Sequence, residues 1–203
     1  MEIGERKIPV LYLVVPCYNE EEVVEKSAQV MGDKLRRLIQ EGKIKDGSKI
    51  MFVNDGSSDN TLRLLHRIAA GDAMYSVISL AGNYGHQSAI LAGMMTAREH
   101  ADAVVTIDAD LQQDIEALDK FLACYMAGCE VVYGVRNDRH SDGTFKKSTA
   151  TVYYKLMHLL GSKVIANHAD YRLMSKKALE ALSEYRETNL FLRGLIPTMG
   201  FVS

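Results

Sequence analysis

AVVTIDADLQQD, residues 103–114, decides how the rest of the chain is read. Ala103 to Ile107 is an apolar, largely β-branched run that suits a buried strand. Three carboxylates (Asp108, Asp110, Asp114) and two amides (Gln112, Gln113) follow it at once. Charge placed so soon after a buried strand points to the place where that strand emerges.

The same alternation runs outward in both directions. LYLVV (11–15) reads as a strand ending at Pro16, and Glu20 to Gln40 as a helix with Val23, Val24, Ala28, Met31, Leu35 and Leu38 on one face. IMFVN (50–54) is a second strand, followed by a helix capped by Asp59 or Asn60 and ending near Gly71. YSVISL (75–80) leads through GNYGH into a small-residue helix, 87–101. Downstream, a helix over 115–127 precedes the strand EVVYGV (130–135). Strands alternating with helices predict parallel pairing by right-handed crossovers, hence an α/β sheet covered on both faces. Ligands of such sheets lie beyond the carboxyl ends of the strands, where the acidic stretch sits.

After Val135 the pattern changes. RNDRHSDGTFKK (136–147) reads as a long polar loop with net positive charge, followed by a helix through Tyr153, Leu156, Leu159 and Leu160. ADYRLMSKKALEAL then reads as a short strand and another helix. The 203 residues suit a single domain, 1–203. A net charge of −2 gives no general grip on nucleic acid or an anionic membrane. The three cysteines (Cys17, Cys124, Cys129) are odd in number and lack CxxC spacing, so they read as packing residues rather than a disulfide framework or zinc site. No run reaches the roughly 18 apolar residues of a membrane span, and the apolar stretch before Pro16 is short for a signal peptide, so the chain as given reads as soluble.

Polar clusters follow four of the strands: PCYNEEE (16–22), NDGSSDNT (54–61), NYGHQ (83–87) and DADLQQD (108–114). Turn chemistry explains any one of them, and NDGSSD in particular. On an extended segment Asp108 and Asp110 share a side, and two carboxylates so placed repel unless a cation lies between them. Mg²⁺ or Mn²⁺ suits that position, because these ions take one or two carboxylates and leave the remaining sites to water and phosphate. Gln112 offers a neutral oxygen, and Asp114 reads as a helix cap. The plainer alternative is a solvated loop. No P-loop, GxGxxG or GxSxG pattern is present, and a carboxylate-held metal at a strand end suits a nucleoside diphosphate. His86, His140, His158 and His168 lack ligand spacing and read as structural or exposed.

VVPCYNEEEVV, FVNDGSSDNT, NYGHQSAILAGM and VVTIDADLQQD, in this order, resemble the family 2 glycosyltransferases of the glycosyltransferase A-type fold. More narrowly they resemble the polyprenyl-phosphate glycosyltransferases, the group of dolichyl-phosphate mannose synthase and bacterial undecaprenyl-phosphate glucosyltransferases. VVYGVRNDR, ADYRLMSKKAL and NLFLRGLIPTMGF extend the likeness along the chain. The resemblance implies that Pro16, Tyr18, Glu20, Asp55, Asn83 and Gly85 line the nucleoside pocket. Asp108 and Asp110 match the family's DxD, which grips the donor and the metal, with Gln112 as neutral ligand. Arg136 matches an arginine that receives the acceptor phosphate, with Lys146 or Lys147, Arg172 and Arg193 as further basic positions on that side. Asp170 matches an acidic position found in the bacterial branch, which serves as base or positions the acceptor or metal. Asn54 replaces the commoner first aspartate of DDGSSD, and IPTMGF replaces a more aromatic ending.

The implied reaction is an inverting, metal-dependent transfer from a nucleoside-diphosphate sugar, uridine favoured, to a polyprenyl phosphate. It implies a catalytic domain cut before C-terminal membrane-associated segments, working at the cytoplasmic side of the cell membrane. Two alternatives stand beside it: a soluble glycosyltransferase acting on a saccharide or protein hydroxyl, and a non-catalytic sugar-nucleotide-binding module.

Overall fold

The computed structural model describes residues 6–135, 168–185 and 191–203. Six strands form one sheet in the order β3-β2-β1-β4-β6-β5. They are β1 (Leu11–Cys17), β2 (Lys49–Asn54), β3 (Tyr75–Ser79), β4 (Ala103–Thr106), β5 (Val131–Val135) and β6 (His168–Ser175). The helices are α1 (Val24–Gln40), α2 (Thr61–Gly71), α3 (His86–Ala97), α4 (Ala117–Met126), α5 (Lys176–Ser183) and α6 (Leu192–Thr198). The polar loop and helix expected after Val135 lie outside the described residues. Among those described, no helix is long and apolar enough to cross a membrane.

Alternation along the strands divides the core in two. Leu11, Leu13 and Val15 of β1, with Ile50 and Phe52 of β2, face α1, α2 and α4. Tyr12, Val14, Met51 and Val53 face α3, α5 and α6. Helices therefore cover both faces, as expected for buried parallel strands. Helix α3 lies very close to the sheet at Gly93, where a Cβ would stand 2.4 Å from Val14 Cγ1 and 2.8 Å from Val53 Cγ2. That approach brings the first residue of α3, His86, to the carboxyl edge of the sheet.

Strands β1 to β4 pair in parallel as expected. The alternation did not reveal that β6 inserts between β4 and β5, antiparallel to both. Its inward residues are unusual for a core strand. Arg172 and Asp170 project on the same face as Met174, so a buried strand carries two charges where a core pattern has apolar side chains.

Candidate active site

The carboxyl ends of the parallel strands border a cleft of about 320 Å³, within the usual size of small-ligand sites. It lies where strand order reverses, since the chain proceeds from β1 to β2 and β3 on one side and returns to β4 on the other. Pro16, Tyr18 and Glu20 reach it from the end of β1, and Asp55 from the end of β2. Asn83 and Gly85 come from the loop before α3, and Asp108 and Asp110 from beyond β4. The structure thus brings together eight of the residues singled out in the sequence.

Much of NDGSSDNT is scaffolding for this wall. Ser57 Oγ accepts from the Asn19 amide (3.0 Å), Asp59 Oδ2 from Glu21 (3.2 Å) and Thr61 Oγ1 from Glu20 (2.8 Å). The 54–61 loop therefore clamps the 19–21 turn. Gly56, at φ 67°, lets it approach the Gly82 backbone, which a Cβ would meet at 2.4 Å. Asp55 is buried, and its two oxygens accept from the Tyr84 amide (2.8 Å) and the Gly85 amide (2.9 Å). Asp55 thus holds the loop that leads into α3. Asp55→Ala is expected to cost about 1.5–3 kcal/mol, the range for hydrogen bonds to a charged acceptor. Asp55→Asn, which keeps one acceptor oxygen, should cost less, and urea midpoints of the two variants give the comparison.

The side of the cleft formed by Glu20, Asp108 and Asp110 is acidic. Burial, then Asp110, Asp59 and Asp108, push the Glu20 carboxyl above its ordinary value. Asp108 is held by Gln113, whose Nε2 donates to Asp108 Oδ2 and whose Oε1 accepts from the Asp108 amide (3.0 Å). Gln113, which the sequence did not single out, is the glutamine that orients this carboxylate. Gln112 contributes its amide to Asp110 Oδ1 (3.0 Å). Asp114, read as a helix cap, accepts from the Glu116 amide (2.9 Å) just ahead of α4.

Among the described residues, no cluster of three or more His, Cys, Asp or Glu could hold a metal unaided. An ion such as Mg²⁺ or Mn²⁺ still fits this wall, because it needs only one or two protein carboxylates when phosphate and water supply the rest. Asp110, Asp59 and Asp108 add to the larger effect of burial in raising the Glu20 carboxyl, and a cation beside them would offset that repulsion.

Asp170 lies beside the cleft, 3% exposed. Arg172 Nη2 (2.5 Å) and Arg193 Nε (3.1 Å) donate to its Oδ1, while Arg193 Nη2 (2.7 Å) and Gln87 Nε2 (3.0 Å) donate to Oδ2. Burial alone would raise its pKa, but His86, Arg193, Arg172 and Gln87 together hold it far below the usual carboxylate range. Its position corrects one expectation. Arg172 is 0% exposed and committed to Asp170, so it is not placed to meet an acceptor phosphate directly. Arg193, about half exposed, reaches Asp170 from α6. Arg136, Lys146 and Lys147 lie outside the described residues.

In the sequence His86 reads as structural or exposed. It lines the cleft, with Nε2 3.5 Å from Asp108 Oδ1 and 3.6 Å from Asp170 Oδ2. The available signal was its place in NYGHQ, at the end of a strand whose neighbours also carry polar clusters. Cys17 lines the cleft too, but burial followed by Glu20 keeps its thiol protonated, in keeping with a packing role.

Residues 12–183 match the family described as Glycosyl transferase family 2. The chain is 48% identical over 195 residues to the uncharacterized glycosyltransferase YkoT of Bacillus subtilis, covering 96% of this chain and 58% of that one. It is 36% identical over 191 residues to the bactoprenol glucosyl transferase of Shigella phage SfV, covering 93% and 59%. The chain therefore spans somewhat under two thirds of these relatives. Among solved structures, the mannosyltransferase PcManGT of Pyrobaculum calidifontis, in complex with GDP-Man and Mn²⁺, superposes with a TM-score of 0.57 at 20% identity. That alignment covers 96% of this chain and 53% of the other, and it supports the glycosyltransferase A-type fold.

Proposed function

Because this chain belongs to glycosyl transferase family 2, we propose that it transfers a sugar from a nucleoside-diphosphate donor, uridine by preference, to a polyprenyl phosphate. In this reading Pro16, Tyr18, Glu20, Asp55, Asn83 and Gly85 border the nucleoside. Asp108 and Asp110, with Gln112 as a neutral ligand, would hold the metal. Such an ion neutralises charge on a departing diphosphate. The acceptor phosphate oxygen attacks the anomeric carbon, a new C–O bond forms as the bond to the donor's β-phosphate breaks, and the nucleoside diphosphate leaves with the electron pair. Attack from the face opposite the leaving group inverts the configuration.

The observation that carries the choice of acceptor is the state of Asp170. Both its oxygens already accept from charged or amide donors. A saccharide or protein hydroxyl would need a carboxylate to take its proton, and Asp170 is poorly suited to that task. A phosphate monoester, with a second pKa of about 6, is already largely ionised near neutral pH. Arg193, and by resemblance Arg136 with Lys146 or Lys147, would meet that phosphate. A relative named for bactoprenol and glucosyl transfer is in keeping with this class of acceptor. Work at the cytoplasmic side of a membrane belongs to the same proposal.

The test is a thermal-shift titration with UDP, GDP, CDP and dTDP, each with and without Mn²⁺, followed by transfer to a short-chain polyprenyl phosphate. A ligand present at about 100 times its dissociation constant stabilises by roughly 2.7 kcal/mol, which is readily seen. The proposal expects metal-dependent stabilisation by one nucleotide and product on the phosphate acceptor. Nucleotide binding without transfer would favour a binding module, and transfer only to hydroxyl acceptors would exclude the lipid phosphate.

A further inference from the structure

Two like charges face each other across the sheet edge. Thr106, the last residue of β4 paired with β6, stands opposite Arg172, and Asp108 and Asp170 lie two residues beyond that pair, each with a carboxylate oxygen within 3.6 Å of His86 Nε2. Two carboxylates gathered around one side chain repel. Their supports are unequal. Asp170 is pinned by Arg172, Arg193 and Gln87, whereas Asp108 has the neutral Gln113. Asp108 is therefore the more weakly held of the two carboxylates.

Among the described residues, His86 is the side chain within ion-pair distance of both. At 3.5 Å and 3.6 Å its Nε2 stands between the two carboxylates, at the outer edge of hydrogen-bond range to each. An N–H at that nitrogen suits two carboxylate neighbours. The ring starts from the first residue of α3, directly after Gly85, whose amide Asp55 holds at 2.9 Å.

We propose that His86 is a positioning residue for Asp108, separating it from Asp170 and keeping its carboxylate directed into the donor side of the cleft. This inference rests on the reading of Asp108 as a donor-site and metal-binding group. Groups that orient a metal's carboxylates from outside its coordination shell typically change metal affinity 10–100-fold, an order-of-magnitude guide for the effect here.

The experiment is calorimetric titration of UDP, or GDP if that binds more tightly, over a series of Mn²⁺ concentrations. It compares the wild type, His86→Ala, His86→Gln and both His86→Ala and wild-type His86 in an Asp108→Asn background. His86→Ala is expected to raise the Mn²⁺ concentration for half-maximal binding by roughly 10–100-fold. His86→Gln, which restores a neutral N–H donor, should recover most of that loss. In the Asp108→Asn background His86→Ala should add little. An unchanged Mn²⁺ requirement in His86→Ala overturns the proposal, even with a lowered melting temperature, because a merely structural histidine would behave that way. Fully additive losses of His86→Ala and Asp108→Asn overturn it as well. A wild type that binds neither nucleotide at any Mn²⁺ concentration overturns the functional reading and this inference with it, so the two failures are distinguishable.

Discussion

Asp170→Ala is expected to destabilise the protein by about 3–5 kcal/mol, the usual cost of removing one partner from a buried ion pair. Arg172 is 0% exposed, and its Nε and Nη1 have no hydrogen-bond partner. With Asp170 gone, the buried guanidinium would keep its charge and lose its counter-ion. A loss of this size is a large part of the roughly 5–15 kcal/mol that holds a domain folded. Adding Arg172→Met to Asp170→Ala should restore part of the stability, since a buried pair replaced by apolar groups is often tolerated. Denaturant midpoints of the single and double variants measure both effects. An Asp170→Ala protein as stable as the wild type, yet inactive in transfer, would instead mark Asp170 as a proton acceptor.

The pH dependence has a definite sign. A carboxyl whose folded pKa lies below its unfolded value of about 3.9 gives its full stabilisation above that value and loses it only as pH falls toward the folded pKa. Asp170 is such a group. Its ion pairs should therefore persist through the pH range in which ordinary carboxylates protonate.

Asp110→Ala should have the opposite profile: severe loss of function at little cost in stability. Asp110 is exposed, and its recorded hydrogen bond is to the nearby Gln112 amide, so folding stability should change by less than about 0.5 kcal/mol. Transfer should fall by about 10²–10³-fold, the scale of losing one electrostatic contact to a developing charge. Mn²⁺-dependent stabilisation by the nucleotide should disappear. Thermal shift and initial rates on the same preparation separate the outcomes. Retained Mn²⁺-dependent binding in Asp110→Ala would remove Asp110 from the proposed metal site.

The gathering of these residues around one cleft was legible because its signals are local. Each of Pro16, Tyr18, Glu20, Asp55, Asn83, Gly85, Asp108 and Asp110 follows a strand that announces itself by a short apolar run. Parallel strands joined by right-handed crossovers all end at one edge, so four separate motifs become neighbours once the alternation is recognised. The roles of Gln113 and His86 were not legible in the same way. Gln113 reaches Asp108 because the chain reverses at Leu111, at φ 55°, a conformation uncommon for leucine. His86 matters because α3 starts between two carboxylates that lie 22 and 84 residues further along the chain.

The amino-acid sequence alone determined that this is an α/β chain and that its polar strand ends gather at one edge. It did so because strand and helix periodicity, turn residues and crossover handedness are properties of neighbouring residues. Only the tertiary structure decided which strand lies beside β4 and which charge stands opposite Asp108. Strand β6 enters antiparallel through pairing between segments more than sixty residues apart, from Ala103–Thr106 to Arg172–Ser175. That register brings Arg172 under cover and Asp170 level with Asp108. The pairing of two charges then depends on register and burial across the sheet, which no local pattern encodes.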